Sequence, residues 1–70
     1  MSVSYKKLWK LLIDKDMKKK DLMAAADISW QTVAKLNKGE NVGVAILEKI
    51  CGVLGCDIGD IAEMVPDEKL

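Results

Sequence analysis

Apolar residues recur along this chain at intervals of three and four, the period of α-helices that lie against a shared core. Tyr5, Leu8, Trp9, Leu12 and Ile13 fall at i, i+3, i+4, i+7 and i+8. They predict a first helix, capped by Ser4 and ending near Asp14 to Asp16. Leu22, Met23 and Ala26 give a second helix from about Lys19 to Ala26. Asp27, Ile28 and Ser29 then make a tight turn, and Trp30 to about Lys38 form a third helix on Val33 and Leu36, stopped by Gly39. After the loop 40–43, Val44 to Leu54 predict a fourth helix with Ile46, Leu47, Ile50, Cys51 and Leu54 inward, closed by Gly55. Asp57 caps an expected short fifth helix, Ile58 to about Met64, with Asp60 in an acidic first turn. Val65 and Pro66 end it, and residues 65–70 read as a short acidic tail.

The expected architecture is therefore all-α, a compact five-helix bundle in one domain spanning residues 1–70. Composition agrees. Half of the 70 residues are apolar but only three are aromatic, so the core is built from aliphatic side chains. A domain this small buries a marginal core, and self-association often supplements it. No apolar run approaches a membrane span, and LWKLLI is too short and interrupted for a signal peptide. Cytoplasmic residence is the expectation. Cys51 and Cys56 fit a reducing compartment and read most simply as small buried hydrophobes.

The chain contains no histidine, which removes the usual general base, metal ligand and partner of a nucleophile. Two thiols with no further soft ligand do not build a zinc site. Asp14 with Asp16, and Asp57 with Asp60, sit at predicted helix ends, where capping accounts for them. No enzyme, cofactor or metal is expected.

Net charge is zero, but it is polarised. Residues 1–38 hold nine lysines and four acids (9 − 4 = +5), whereas residues 39–70 hold two lysines and seven acids (2 − 7 = −5). Such a division suits a basic half facing a polyanion, and it equally fits an unevenly charged solvated surface. Charge alone leaves both readings open.

Two short helices joined by a three-residue turn carry a more specific signal. Residues 18–39, KKKDLMAAADISWQTVAKLNKG, resemble the helix-turn-helix of the phage-repressor/Cro class of small regulators, the XRE family. VAILEKICGVLGCDIGDI, residues 44–61, is similar to that family's last two helices. The resemblance covers roughly residues 4 to 62. Its weight lies in the combined spacing of Leu22, Ala26, Ile28, Val33, Leu36 and Gly39, followed by Leu54-Gly55 and Ile58/Ile61. It implies a lambda-repressor-like domain that binds double-stranded DNA as a homodimer, with no small-molecule ligand. Some positions depart from the family pattern. Lys18 and Lys19 replace the usual Thr or Ser followed by Gln, Asp27 replaces a frequent glycine, Met23 a small residue, and Gly43 a Ser or Thr cap.

Stepping about 100° per residue places Gln31, Ala34, Lys35 and Lys38 opposite the buried direction set by Val33 and Leu36. The resemblance implies that Trp30, Gln31, Thr32 and Lys35 are base-reading or near-base residues, and that Ser29, Lys38 and Asn41 meet the backbone. Trp30 lies between the buried and outward directions, so it can lean toward DNA, toward Lys19 or Lys20, or toward a protein partner. Lys18, Lys19 and Lys20 crowd a helix N-terminus, where each cation costs about 0.3–1 kcal/mol. A phosphate reverses that cost, so these three are phosphate candidates, although a lysine-rich surface without a ligand is the plainer alternative.

Arginine is absent, so the bidentate fork most often used on guanine is missing. Gln31 is the best bidentate reader present, its natural target is adenine, and an A·T-leaning half-site is expected. The reading is a transcriptional regulator, a repressor, that occupies an operator with its third helix in the major groove. An antitoxin-like protein-interaction module, with the acidic half meeting a basic partner and Trp30 as anchor, is the alternative.

Overall fold

The computed structural model describes residues 1–66. Its elements run β1 (Ser2–Ser4), α1 (Lys6–Asp14), α2 (Lys19–Ala26), α3 (Trp30–Lys38), α4 (Val44–Leu54), a 3₁₀ turn (Ile58–Asp60) and β2 (Glu63–Val65). The described residues thus contain four α-helices and a two-stranded sheet, where the sequence suggested five helices and no strand.

Each helix owes its limits to local chemistry. α1 is entered at Tyr5, which occupies the cap position without a side-chain cap bond. Ser4 lies instead in β1, its hydroxyl accepting only a long bond, 3.4 Å, from the Lys6 N–H. Tyr5, Leu8 and Leu12 are buried and Trp9 and Leu11 flank them, but Ile13 is 75% exposed. The three buried residues average a direction from which Ile13 is rotated by about 105° at 100° per residue, beyond the flank of the stripe. α2 ends at Asp27 in the left-handed region (φ 55°, ψ 51°), a conformation that aspartate accepts at lower cost than most side chains. α3 ends at Gly39 (φ 72°), where there is a second demand for glycine. A Cβ there would stand 3.3 Å from the Val3 carbonyl oxygen, so α3 closes tightly against β1.

The buried side chains form one cluster: Tyr5, Leu8 and Leu12 of α1, Leu22 and Ala26 of α2, Ile28, Val33 and Leu36 around α3, Leu47, Ile50 and Leu54 of α4, and Ile61. Ile61 explains the missing fifth helix. Asp57 accepts from the Ile58 N–H at 2.7 Å and Asp60 accepts from the Asp57 N–H at 2.9 Å, so the helix-start signature is real. It launches only one 3₁₀ turn, after which Ile61 plugs completely into the core. Its full burial stabilises by about 1.5–3 kcal/mol.

The chain then runs extended and pairs antiparallel with β1 in the register Ser2↔Val65, Val3↔Met64, Ser4↔Glu63. Pro66 lacks an N–H and follows the last pair. Val65 therefore belongs to the sheet and does not begin the tail; residues 67–70, the rest of that expected tail, lie outside the described residues. Lys7 donates to the Gly59 carbonyl at 3.2 Å, tying α1 to the 3₁₀ turn.

Candidate nucleic-acid interface

α3 is held from beneath by Val33 and Leu36, both essentially inaccessible, so its opposite face is presented to solvent on a rigid base. Gln31, Lys35 and Lys38 are exposed there and Ala34 is half-buried among them. Trp30, at the first helical position, is 61% exposed. Neither the core nor a lysine stem covers most of this indole, which leaves an open apolar plane at the leading tip of α3.

The start of α3 is fixed by its own cap. Ser29 Oγ accepts from the Thr32 N–H at 3.3 Å and lies 3.1 Å from Thr32 Oγ1. Such a cap is worth about 1 kcal/mol. Thr32 is half-buried and its hydroxyl is engaged with Ser29, so these two side chains set the helix in place before any ligand arrives. Gln31, between them and fully outward, is the unencumbered amide.

The lysine run at α2 divides. Lys18 and Lys20 are exposed. Lys18 occupies the cap position in an extended conformation, and its N–H donates to the Asp21 carboxylate at 2.9 Å. Asp21 thereby supplies the anion that a helix N-terminus favours and offsets part of the cost of three cations. Lys19 is different. Its ammonium donates to Asn37 Oδ1 at 2.7 Å and lies 4.6 Å from the centre of the Trp9 ring. A cation over an indole and a hydrogen bond to an amide together make Lys19 a brace between α1, α2 and the last turn of α3.

Asn37 and Trp9 are the members of this arrangement that sequence reasoning missed. A signal was present for the first: Asn37 stands seven residues after Trp30, on the same flank of α3. Asn41 is exposed in the loop beyond Gly39, where it lines a cleft with Met1, Val3 and Met64. The structure therefore gathers Trp30, Gln31, Lys35 and Lys38 on one element and displays Lys18 and Lys20 at the start of another. It assigns Ser29, Thr32 and Lys19 internal bonds.

The family of Cro/C1-type helix-turn-helix DNA-binding domains matches residues 7–67. The chain belongs to that family. Among solved structures, the transcriptional regulator VanUg, in its crystal form II, is similar to this Cro/C1-type domain with 56% sequence identity and a TM-score of 0.91, over 94% of this chain and 88% of that one. No curated protein matches the chain.

Among the described residues no helix is long and apolar enough to cross a membrane. The described Cys, Asp and Glu side chains form no group that could hold a metal ion.

Proposed function

We propose that this Cro/C1-type domain is a transcriptional regulator of the cytoplasm that occupies an operator, acting as a repressor, with α3 in the major groove. The observation that carries this is the outward face of α3. Gln31, Lys35 and Lys38 project from a helix whose other side is locked by Val33 and Leu36. The 56% identity to a transcriptional regulator supports the same reading. Gln31 is the principal base reader, suited to the N6 and N7 edge of adenine, and Lys35 gives a looser preference for guanine or a phosphate. Trp30 covers a thymine methyl at the groove edge. Lys18, Lys20, Lys38 and Asn41 hold the backbone and set register without reading sequence. Ser29, Thr32 and Lys19 serve this interface chiefly by fixing the helices that carry it.

One domain of this size covers a single half-site, so a two-fold homodimer on an inverted repeat is part of the proposal, with half-sites about one helical turn apart. The apolar residues near the end of the chain, Ile61, Met64, Val65 and Leu70, do not serve that contact equally. Ile61 is fully buried and cannot reach a partner. Leu70 lies outside the described residues. Met64 is 59% exposed and shares a cleft with Met1 and Val3 on the face of the small sheet, which makes this face the better dimer contact.

Selection of bound sequences from random duplex DNA tests the whole reading. Enrichment of an A·T-leaning inverted repeat is expected. Failure to enrich any sequence, with the protein folded, would overturn it in favour of a protein-interaction module anchored on Trp30.

A further inference from the structure

α4 ends in a turn that brings the two cysteines of the chain together. Gly55 takes the left-handed conformation at φ 65°, and the N–H groups of Gly55 and Cys56 both donate to the Cys51 carbonyl, at 2.8 and 3.2 Å. The bond from Cys56 is the six-residue closure of a Schellman-type cap, which folds the residue after the glycine back over the last turn. A backbone link of this kind sets the two Cα atoms within the span of about 4.4–6.8 Å that a disulfide bridges. The side chains follow the backbone: the Cys51 and Cys56 thiols are neighbours, close enough for each to disfavour ionisation of the other. Burial, this contact and the nearby carboxylates of Asp57 and Asp60 push the Cys51 thiol above its ordinary range.

Both cysteines are free and half-buried, packed on the margin of the core. They are not the enclosed hydrophobes that composition suggested. Cys56 lines a cleft of roughly 330 Å³ whose walls also include Lys7, Lys10, Lys15 and Asp60. No residue of α3 lines that cleft. The pair is therefore reachable from solvent at Cys56, backed by a second thiol in contact, and separate from the DNA-reading face.

We propose that Cys51 and Cys56 form a reversible intramolecular disulfide when the protein meets a peroxide, making the end of α4 an oxidative modification site. The Cys56 thiolate attacks one oxygen of hydrogen peroxide; the O–O bond breaks, a sulfenic acid forms, and hydroxide leaves to become water. The Cys51 sulfur then attacks the sulfenic sulfur. The S–S bond forms, the S–O bond breaks, and the Cys51 proton leaves with that oxygen as a second water. Two thiols lose two electrons and the peroxide gains them. The order of attack follows from access: Cys56 opens on the cleft, while Cys51 keeps its proton longer. A thiol reductant restores the pair by exchange. The bond would staple α4 to the segment that leads into Ile61 and β2.

The test uses the reduced, folded full chain, treated with hydrogen peroxide and then alkylated, with the intact mass read before and after reduction. The expected product is a monomer lighter by two hydrogens that takes up no alkylating agent and recovers both thiols with dithiothreitol. Cys51→Ser and Cys56→Ser should each abolish that product. The melting midpoint of the oxidised wild type should rise by about 10 °C, because even a short cross-linked loop restricts the unfolded chain. Linked dimers or over-oxidised thiols in place of the internal bond would overturn the proposal, as would a bond that forms only in urea. A fall in the midpoint on oxidation would show that the native turn does not accommodate the bond.

Discussion

Replacing Trp30 by alanine gives the sharpest test of how α3 is used. The indole is 61% exposed, and a tryptophan side chain offers on the order of 250 Å² in all, so about 150 Å² remains open to a ligand. Docking at a groove edge that covers half of this removes about 75 Å² from water, worth about 2 kcal/mol at 25 cal/mol per Å². Trp30→Ala should therefore raise the Kd for selected duplex about 25-fold. Because the lost contact is apolar, the ratio of mutant to parent Kd should stay constant as salt rises, while both affinities fall together.

The fold also draws on this side chain. Its covered two-fifths, about 100 Å², contributes at most about 2.5 kcal/mol to stability at the same coefficient, and alanine still fills part of that space. Fluorescence anisotropy of labelled duplex at several salt concentrations measures the ratio, and urea denaturation measures the stability. Trp9→Phe isolates the Trp30 emission, which should change on adding duplex, and the phenyl ring keeps an aromatic face under Lys19. If Trp30→Ala binds within twofold of the parent, or if the ratio collapses as salt rises, the indole does not lie against DNA.

The lysines separate by role. Lys18→Ala should lower the salt slope of DNA binding by about one unit, equally on specific and random duplex, and leave stability unchanged. Lys19→Ala removes the bond to Asn37 and the contact with Trp9; it should cost about 0.5–1.5 kcal/mol in urea denaturation, and an unchanged stability would refute its role as a brace. Gln31→Ala, assayed against all four bases at each position, should lose discrimination of about 1–3 kcal/mol at one adenine while other positions keep theirs; intact discrimination throughout would remove Gln31 as a reader. Asp27→Gly should raise stability by about 0.5–1 kcal/mol in thermal denaturation, since the residue stands at φ 55° where glycine is unstrained; a loss would mean that the aspartate makes a contribution beyond its backbone angle.

The motif itself was legible because its determinants are local. Ser29 as cap, Val33 and Leu36 as anchor, Gly39 as stop and Gly55 as the end of α4 each act within one or two turns of their own position, and all four hold in the structure. The outward set Gln31, Lys35 and Lys38 followed from helical angle alone. Asp57 and Asp60 were read correctly as a helix start, yet the helix that should follow was not made. Residues 63–65, the end of that expected helix and the start of the expected tail, found backbone partners in residues 2–4, at the other end of the chain, and Ile61 found the core.

Neither event leaves a trace in local periodicity, because a pairing between the two ends exists only once the helices have brought them together. The same holds for Lys19. Its sequence neighbours mark it as one cation in a run of three, but Trp9 and Asn37 lie ten and eighteen residues away and turn it into a brace. Local sequence determined which segments become helices and which faces they show. Tertiary packing decided which charged side chains remain open to a ligand and which are consumed in holding the helices together.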